Sequence, residues 1–552
     1  MTKPPTTRSA RTHWTSRRDA KQQRLAQAAR FVQGKLVRAD SIVPLLEALL
    51  RPGDRVVLEG DNQKQADFLS RSLAQVDAAR VHDLHLLVPS ITRPEHLALF
   101  ERGIGRRVDF CFAGPQSLRV AQLLEQGTLE IGSIHTYVEL YARMLVDLTP
   151  HVALVCAEQA DRAGNLYTAA NTEDTPTIVE AAAFRQGVVL AQVNEVVDEL
   201  PRVDIPGSWV DLIVTADRPF ALEALFTRDP AAISELQVLM AMLAIRGIYE
   251  RHGVTSLNHG IGFATAAIEL LLPTYADSLG LKGRICRNWV LNPHPTLIPA
   301  IESGWVESVH CFGSEAGMEQ YVRARPDVFF VGADGSLRSN RTLAQLAGQY
   351  GVDLFIGSTL QMDADANSST VTLGRLAGFG GAPNMGHDPR GRRHTSPAWL
   401  SLITADAPVV RGRKLVVQLL ETCRNGVPAL VESLDAVAVG RRSGMPIAPV
   451  MIYGDDVSHV VSEEGVAYLY RAQGAEERRA ALAAIAGNTP IGRRADPQRT
   501  ASLRARGLVA YPEDLGVQRD AARHSLLAAR SLDELIEWSG GLYQPPHHLR
   551  RR

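Results

Sequence analysis

Residues Leu257-Asn258-His259-Gly260-Ile261-Gly262-Phe263-Ala264-Thr265-Ala266-Ala267-Ile268-Glu269-Leu270-Leu271 place two glycines, one residue apart, between an extended apolar lead-in and a helix. Ala264, Ala267, Ile268 and Leu271 repeat at the i, i+3, i+4, i+7 spacing of one buried helical face. Gly260 and Gly262 lack a Cβ, so the chain can turn sharply there and a ligand can come against the backbone. The first amides of the helix have no intrahelical acceptor, which favours anionic or polarised oxygens at its start. An isolated G-x-G is more often a plain strand-to-helix turn, so the functional reading depends on its company elsewhere.

The same unit occurs early in the chain. Gly53-Asp54-Arg55-Val56-Val57-Leu58-Glu59-Gly60-Asp61-Asn62-Gln63-Lys64-Gln65 reads as strand and polar turn, and a helix with Ala66, Leu69 and Leu73 on one face follows. This points to a weak internal duplication. Further apolar runs, Val152–Cys156, Val188–Val193, Val328–Val331 and Leu415–Leu420, read as strands apolar on both faces. Separated by helical segments, they predict parallel sheets covered on both sides. Residues up to about Leu49 read as a flexible lead and then a helix. Asp161–Asn165 is a turn by composition, and Ser234–Tyr249 is a long helix expected to bridge two halves. The polar, proline-rich stretch Asp388–Pro408 reads as a surface excursion.

The chain has 552 residues, a formal net charge of -1 and 45% hydrophobic residues, enough for two cores and too neutral for nucleic acid as a main partner. Cys111, Cys156, Cys286, Cys311 and Cys423 are scattered and form no C-x-x-C pair, so they are expected as buried reduced thiols of a cytoplasmic protein, not a zinc site or disulfides. Ser16-Arg17-Arg18-Asp19 has no apolar core behind it, which argues against export, and no run approaches a membrane span. Arg550–Arg552 reads as a solvated tail.

Several clusters carry possible chemistry. Gly374-Arg375-Leu376-Ala377-Gly378-Phe379-Gly380-Gly381-Ala382-Pro383-Asn384-Met385-Gly386 can present consecutive amides to one oxygen, as an oxyanion hole does; a surface loop is an equal alternative. It fits neither G-x-G-x-x-G nor G-x-x-x-x-G-K-[ST]. In Asn171-Thr172-Glu173-Asp174-Thr175-Pro176, Asp174 or Thr175 reads as a helix cap and Glu173 as the more interesting carboxylate. Gln192-Val193-Asn194-Glu195 ends a buried strand, where α/β sheets place ligands. Asn292-Pro293-His294-Pro295 is a rigid polar loop, in which a lone histidine is more often structural than catalytic. Arg390–His394 reads as a solvated charge run, with docking of a phosphate-bearing carrier as the second reading. There is no G-x-S-x-G elbow and no H-E-x-x-H.

In this order, Gly53–Leu73, Val152–Asn194, Asn258–Gly304, Gly374–Gly381 and Ser458–Leu469 resemble the CoA-transferase superfamily over nearly the whole chain. Within it, Gly60–Phe68, Asn171–Pro176, Asn292–Thr296 and Gly378–Asn384 resemble the malonate decarboxylase alpha-subunit family. The resemblance implies two CoA-transferase-like α/β domains, residues 1–235 (with 1–25 a flexible lead) and 236–552. It implies an acyl carrier protein transferase: acetyl-S-carrier plus malonate gives malonyl-S-carrier plus acetate. The partners implied are the carrier subunit and the decarboxylase subunits, with no nucleic acid and no membrane. No cofactor or metal is held permanently, and a dephospho-CoA-derived arm on the carrier supplies the thiol.

Many members of the superfamily use a glutamate nucleophile a dozen or so residues before an acidic-small-Gly turn. Counting back from Glu302-Ser303-Gly304 reaches Leu291-Asn292, with no carboxylate. A covalent acyl-enzyme is therefore not expected, and the resemblance to a relative, the citrate lyase alpha subunit, implies direct attack by malonate through a mixed anhydride. The catalytic candidates are the amides of Gly380 and Gly381, with Glu173 and Asn292. Gly260, Ile261, Gly262, Gly378 and Asn194 are candidates for the carrier arm, and Asn258, His294, Arg341 and Asn384 for malonate. The alternatives are a CoA transferase or thioester hydrolase for another small acid, a non-catalytic carrier-docking scaffold, and a dinucleotide-dependent oxidoreductase, which the missing fingerprint disfavours.

Overall fold

Apolar runs without polar alternation must be covered on both faces, and here they form the centres of two sheets. The computed structural model describes residues 8–60, 64–220, 222, 229–403 and 409–549, and divides into two compact units, Met1–Leu222 and Glu223–Arg552. Asp61–Gln63, residues 404–408 of the expected surface excursion, and Arg550–Arg552 lie outside the described residues.

In the first unit, strand Arg55–Leu58 lies between Val152–Asp161 and Leu84–Ser90, parallel to both. Beyond Leu84–Ser90 come Gly105–Phe112 and Glu130–Ile134; beyond Val152–Asp161 come Val188–Val197, Leu212–Thr215 and the hairpin Val32–Gln33/Leu36–Val37. Helices Tyr137–Val146 and Thr175–Phe184 bury Tyr137, Leu140, Ile178 and Val179 in one core with Val155, Val189 and Ala191. Each such aliphatic side chain contributes about 1.5–3 kcal/mol when fully buried.

The second unit winds the same way. Strand Ser256–His259 lies between Asn288–Val290 and Leu354–Ser358; Ser308–His310 extends one side, Leu415–Leu419 and His459–Val461 the other, all parallel. Two short antiparallel strands, Val466–Ala467 and Val509–Ala510, complete that edge. Phe355, Val416, Val460, Leu482, Ile485 and Leu503 share one core. Helix Glu235–Ala244 starts in a capping box between Ser234 and Gln237 and continues as a π-helical turn, Ile245–Glu250.

The structure revises several expectations. The N-terminal lead is helical over Arg8–Ala28, because Arg24 forks onto Asp54 (2.6 and 2.8 Å) and Lys21 pairs with Asp211 at 2.8 Å. The units divide at Leu222/Glu223 rather than near Glu235, so the expected bridging helix belongs to the second unit. Val328–Val331 makes only isolated bridges, with Phe330 exposed. Within Asp388–Ile403, Asp388, Arg392, Trp399 and Leu402 are buried, and Arg392 pairs with Asp353 at 2.9 Å, so neither this stretch nor the Arg390–His394 run is wholly solvated. Four cysteines are buried, but Cys423 is exposed on a hairpin; all five are free. Among the described residues no helix is long and apolar enough to cross a membrane.

Candidate active site

In a doubly wound sheet a crevice opens beyond the carboxyl ends of strands that lead off in opposite directions. In the second unit that point lies between Ser256–His259 and Leu354–Ser358, and the Gly260–Gly262 turn occupies it. The Gly260 amide donates to Ile356 O at 2.7 Å, and a Cβ on Gly260 would stand 3.1 Å from Gly357 Cα. A Cβ on Gly262 would stand 2.8 Å from Ser358 Oγ. At Gly260 one backbone lies against another, whereas at Gly262 the space is taken by the Ser358 side chain. Thr265 Oγ1 closes the turn by donating to the carbonyls of Gly260 (2.7 Å) and Gly262 (2.9 Å). The Gly260 amide is thus committed to the neighbouring strand, while those of Ile261, Gly262 and Phe263 have no acceptor among the described residues. They cluster at the start of helix Phe263–Leu271, where the helix dipole favours negative charge.

Beneath this turn, Glu269 is fully buried in a helix whose only other polar side chain is Thr265. Its Oε1 is 3.0 Å from His259 Nδ1 and 2.9 Å from His294 Nδ1, and its Oε2 accepts from Thr296 Oγ1. His259 Nε2 meets Tyr249 Oη at 2.9 Å, and the Trp289 ring stands edge-on to the imidazole. Burial by itself would raise the Glu269 carboxyl; the charge and hydrogen bonds of the two imidazoles outweigh it and hold the group well below the usual carboxylate range. Asn292, in the same loop as His294, is buried, and its Oδ1 has no hydrogen-bond partner among the described residues. Asn258 donates to Val290 O at 2.5 Å, which ties strand Ser256–His259 to the strand leading into that loop.

The second glycine stretch packs on the same unit. Gly378 and Gly380 take left-handed φ of 74° and 58°, and Thr370 Oγ1 donates to Gly378 O. Gly381 lies against Gln345, whose side-chain and backbone oxygens accept from Asn384 Nδ2 at 3.3 and 3.1 Å. Arg341 is fully buried at the first position of that same helix, Arg341–Tyr350. The amides of Gly380 and Gly381 have no acceptor among the described residues. Phe355 links the two glycine segments: Cβ atoms on Gly260 and Gly386 would stand 3.9 and 3.0 Å from its ring. Lys414 braces this segment from below, donating to Met385 O at 2.6 Å and Gly348 O at 2.5 Å.

In the first unit the switch point lies between Arg55–Leu58 and Val152–Asp161, and Glu59 occupies the end of the former strand, fully buried. Its carboxylate accepts from the Cys156 amide at 2.7 Å and from Thr175 Oγ1, and Lys64 Nζ lies 3.3 Å away. Glu173 is buried with φ of 39°, a conformation that non-glycine residues adopt at a cost. Asp174 stands at the N-cap of helix Thr175–Phe184, but its side chain makes no capping bond. Asn194 is engaged at both ends, donating to Glu158 at 2.9 Å and accepting from the Phe220 amide at 2.9 Å.

Glu269, His259, Glu59 and Lys64 are central to these networks and were not among the expected site residues. The available signal for Glu269 was a lone carboxylate within Ala266-Ala267-Ile268-Glu269-Leu270-Leu271. Nothing local indicates that His259 and His294, 35 positions apart, close on one of its oxygens.

Residues 13–552 match the family described as malonate decarboxylase, alpha subunit, transporter. A protein of Malonomonas rubra named acetyl-S-ACP:malonate ACP transferase is 54% identical over 526 residues, 94% of this chain and 95% of its own. The crystal structure of a malonate decarboxylase alpha subunit from Acinetobacter baumannii is 62% identical, with a TM-score of 0.94 over 97% of this chain and 100% of that one. A chain of a Pseudomonas malonate decarboxylase hetero-tetramer in complex with malonate is 64% identical, with a TM-score of 0.95 over 99% and 100%. At 13% identity, an acyl-CoA transferase from Escherichia coli O157:H7 shares the fold alone, with a TM-score of 0.50 over 79% and 88%. The two similarly wound units thus form a CoA-transferase-like α/β fold, and the chain belongs to the malonate decarboxylase alpha-subunit family.

Proposed function

We infer that this chain is a transferase that exchanges acetate for malonate on the thiol of an acyl carrier protein: acetyl-S-carrier plus malonate gives malonyl-S-carrier plus acetate. The observation that carries the reading is the 54% identity, across nearly the full length of both chains, to a protein named for that reaction. The site chemistry is compatible with it. Acyl transfer needs preset donors for a developing oxyanion, and the adjacent amides of Gly380 and Gly381 are such donors.

In this reading a malonate carboxylate attacks the acetyl carbonyl, the C–S bond breaks, and the carrier thiolate leaves. The thiolate then attacks the malonyl carbonyl of the acetic-malonic anhydride, and acetate leaves with the bridging oxygen. No proton or electron is gained or lost. A carboxylate is a poor nucleophile in water, so orientation and exclusion of solvent supply much of the rate. Gly380 and Gly381 hold the oxyanion. Gly378 and the Gly260-Ile261-Gly262 turn receive the carrier's CoA-like arm, with the Ile261 and Gly262 amides as donors. His294, Arg341 and Asn292 serve malonate. Asn258 and Asn384 already bridge neighbouring elements of the second unit, so their part is to hold that unit's framework, and Asn194 does the same within the first. The partners are the carrier and the decarboxylating subunits, and we place the reaction in the cytoplasm, consistent with five free thiols.

The test is malonate-dependent release of labelled acetate from acetyl-carrier by the purified chain. Carrier binding without any release would mean a docking scaffold, and release by water alone a hydrolase. Trapping with hydroxylamine or borohydride followed by intact mass separates the routes: an adduct on a glutamate, Glu173 examined first, would replace direct attack with an acyl-enzyme.

A further inference from the structure

The Gly260–Gly262 turn is flanked on both sides by a polar side chain at the carboxyl end of a neighbouring strand. On one side Ser358 closes strand Leu354–Ser358, and its Oγ stands 2.8 Å from where a Cβ on Gly262 would be. On the other, Asn292 follows strand Asn288–Val290 by two residues. The registers Leu257↔Trp289 and His259↔Ile356, carried past the paired residues, set Asn292 level with Gly260 and Ser358 level with Ile261. Neither side chain makes a hydrogen bond with a described residue, and Asn292 is only 4% exposed. Other polar side chains at these strand ends are engaged: Asn258 with Val290 O, His259 with Glu269, Thr265 with the turn's carbonyls and Thr359 with those of Gln361 and Ser369. Leaving an enclosed amide unpaired is costly, which points to a ligand as its missing partner.

Both groups can donate, Ser358 through its hydroxyl and Asn292 through its amide nitrogen. They stand on the two strands either side of Ser256–His259, which places those strands about 9–10 Å apart. A short diacid with a hydrogen bond of about 2.8 Å at each end spans such a gap, whereas a monoacid engages one end only. The two carboxylates of a diacid differ in what they need. The attacking one loses its charge as the anhydride forms, while the other stays charged throughout and is best held at the start of helix Phe263–Leu271, where the dipole favours an anion. Ser358 is the group on that side, against the N-cap residue Gly262. We propose that Ser358 is a substrate-binding residue that selects a diacid: its hydroxyl donates to the carboxylate of malonate that does not react, while Asn292 donates to the one that does. The proposal rests on the transferase reading above.

The experiment compares wild type with Ser358→Ala on two acids. One assay is malonate-dependent release of labelled acetate from acetyl-carrier; the other is exchange of labelled acetate into acetyl-carrier, which needs only a monoacid. In S358A the KM for malonate rises about tenfold or more, the loss of one hydrogen bond to a charged group. The KM for acetate in the exchange stays at the wild-type value, and thermal melting is unchanged. An unchanged malonate KM, or an equal loss with both acids, would overturn the proposal, since a merely structural serine would not tell the two acids apart. Should S358A not fold, Ser358→Cys, nearly the same shape with a weaker donor, is read by the same comparison. If the wild type neither releases acetate with malonate nor exchanges acetate, the transferase reading itself fails, whatever the variant does.

Discussion

Lys414 Nζ lies 2.6 Å from the carbonyl oxygen of Met385, at a position with no solvent exposure, and so braces from below the segment that carries Gly378 to Gly386. Burial, helped by the nearby charge of Arg392, pushes this lysine down from 10.5 to about 7. The folded value is below the unfolded one, so between those limits the unfolded chain holds more protons and this group adds stability as pH rises. In Lys414→Met the carbonyls of Gly348 and Met385 lose their donor, at a cost of about 1–3 kcal/mol. Urea unfolding from about pH 7 to about pH 9 should show the wild type gaining on the variant. A constant difference would mean that Lys414 does not titrate in that window.

Gly380 takes a left-handed φ of 58°, whereas a Cβ on Gly374, in the same segment, would meet nothing within 4 Å. Gly380→Ala should cost about 1–2 kcal/mol in backbone strain and, by turning an oxyanion donor away, slow acetate release about 100-fold. Gly374→Ala should match the wild type in both melting and rate. Equal rates in the two variants would remove Gly380 from the proposed oxyanion site.

Asp109 stands between His85 Nε2 and His135 Nε2, each 2.7 Å away, and is almost fully buried. Burial would raise its pKa, but bonds to His135 and His85 hold it well below the usual range; for His135 burial would lower the value and the bond to Asp109 raises it. The carboxylate's contribution is present above its unfolded value of about 3.9 and is lost as pH falls towards the depressed folded one. That of His135 is complete below about 6.5 and is lost as pH rises through its raised folded value. Asp109→Asn should destabilise by about 3 kcal/mol near neutral pH and flatten the pH dependence of melting on both sides. Unchanged curvature would show that the pair carries no linked protons.

Arg24 ties helix Arg8–Ala28 to the first unit through Asp54 and the Leu49 carbonyl. Arg24→Ala leaves Asp54 buried with the Arg51 amide (2.8 Å) and His151 (3.2 Å). It should cost about 3 kcal/mol and make the N-terminal helix the first site of limited proteolysis. Wild-type resistance to cleavage there would argue that other contacts hold the helix.

The parallel architecture was legible because it is a local property: Val152–Cys156, Val188–Val193 and Leu415–Leu420 are apolar on both faces, and such runs can only sit inside a sheet. Val328–Val331 has the same composition but meets the second sheet only through an isolated bridge from Phe329 to Val309, with Phe330 exposed, since four apolar residues are too few to dictate pairing. The N-terminal helix was misread for the opposite reason. Residues 8–28 are mostly polar, and Arg24 and Lys21 tie them down by reaching partners far along the chain.

By itself the amino-acid order determined the alternation of strand and helix, the glycine turn after strand Ser256–His259, and family membership, because each is written in residues close together or in a pattern repeated in order. Which groups meet was decided only by the tertiary structure. His259, Glu269 and His294 converge because adjacent parallel strands bring their carboxyl ends together, and Gly260 is committed to Ile356 because those strands lie side by side. Burial then sets the ionisation of Glu269, Asp109 and Lys414, a property of surroundings assembled from distant segments that no local stretch encodes.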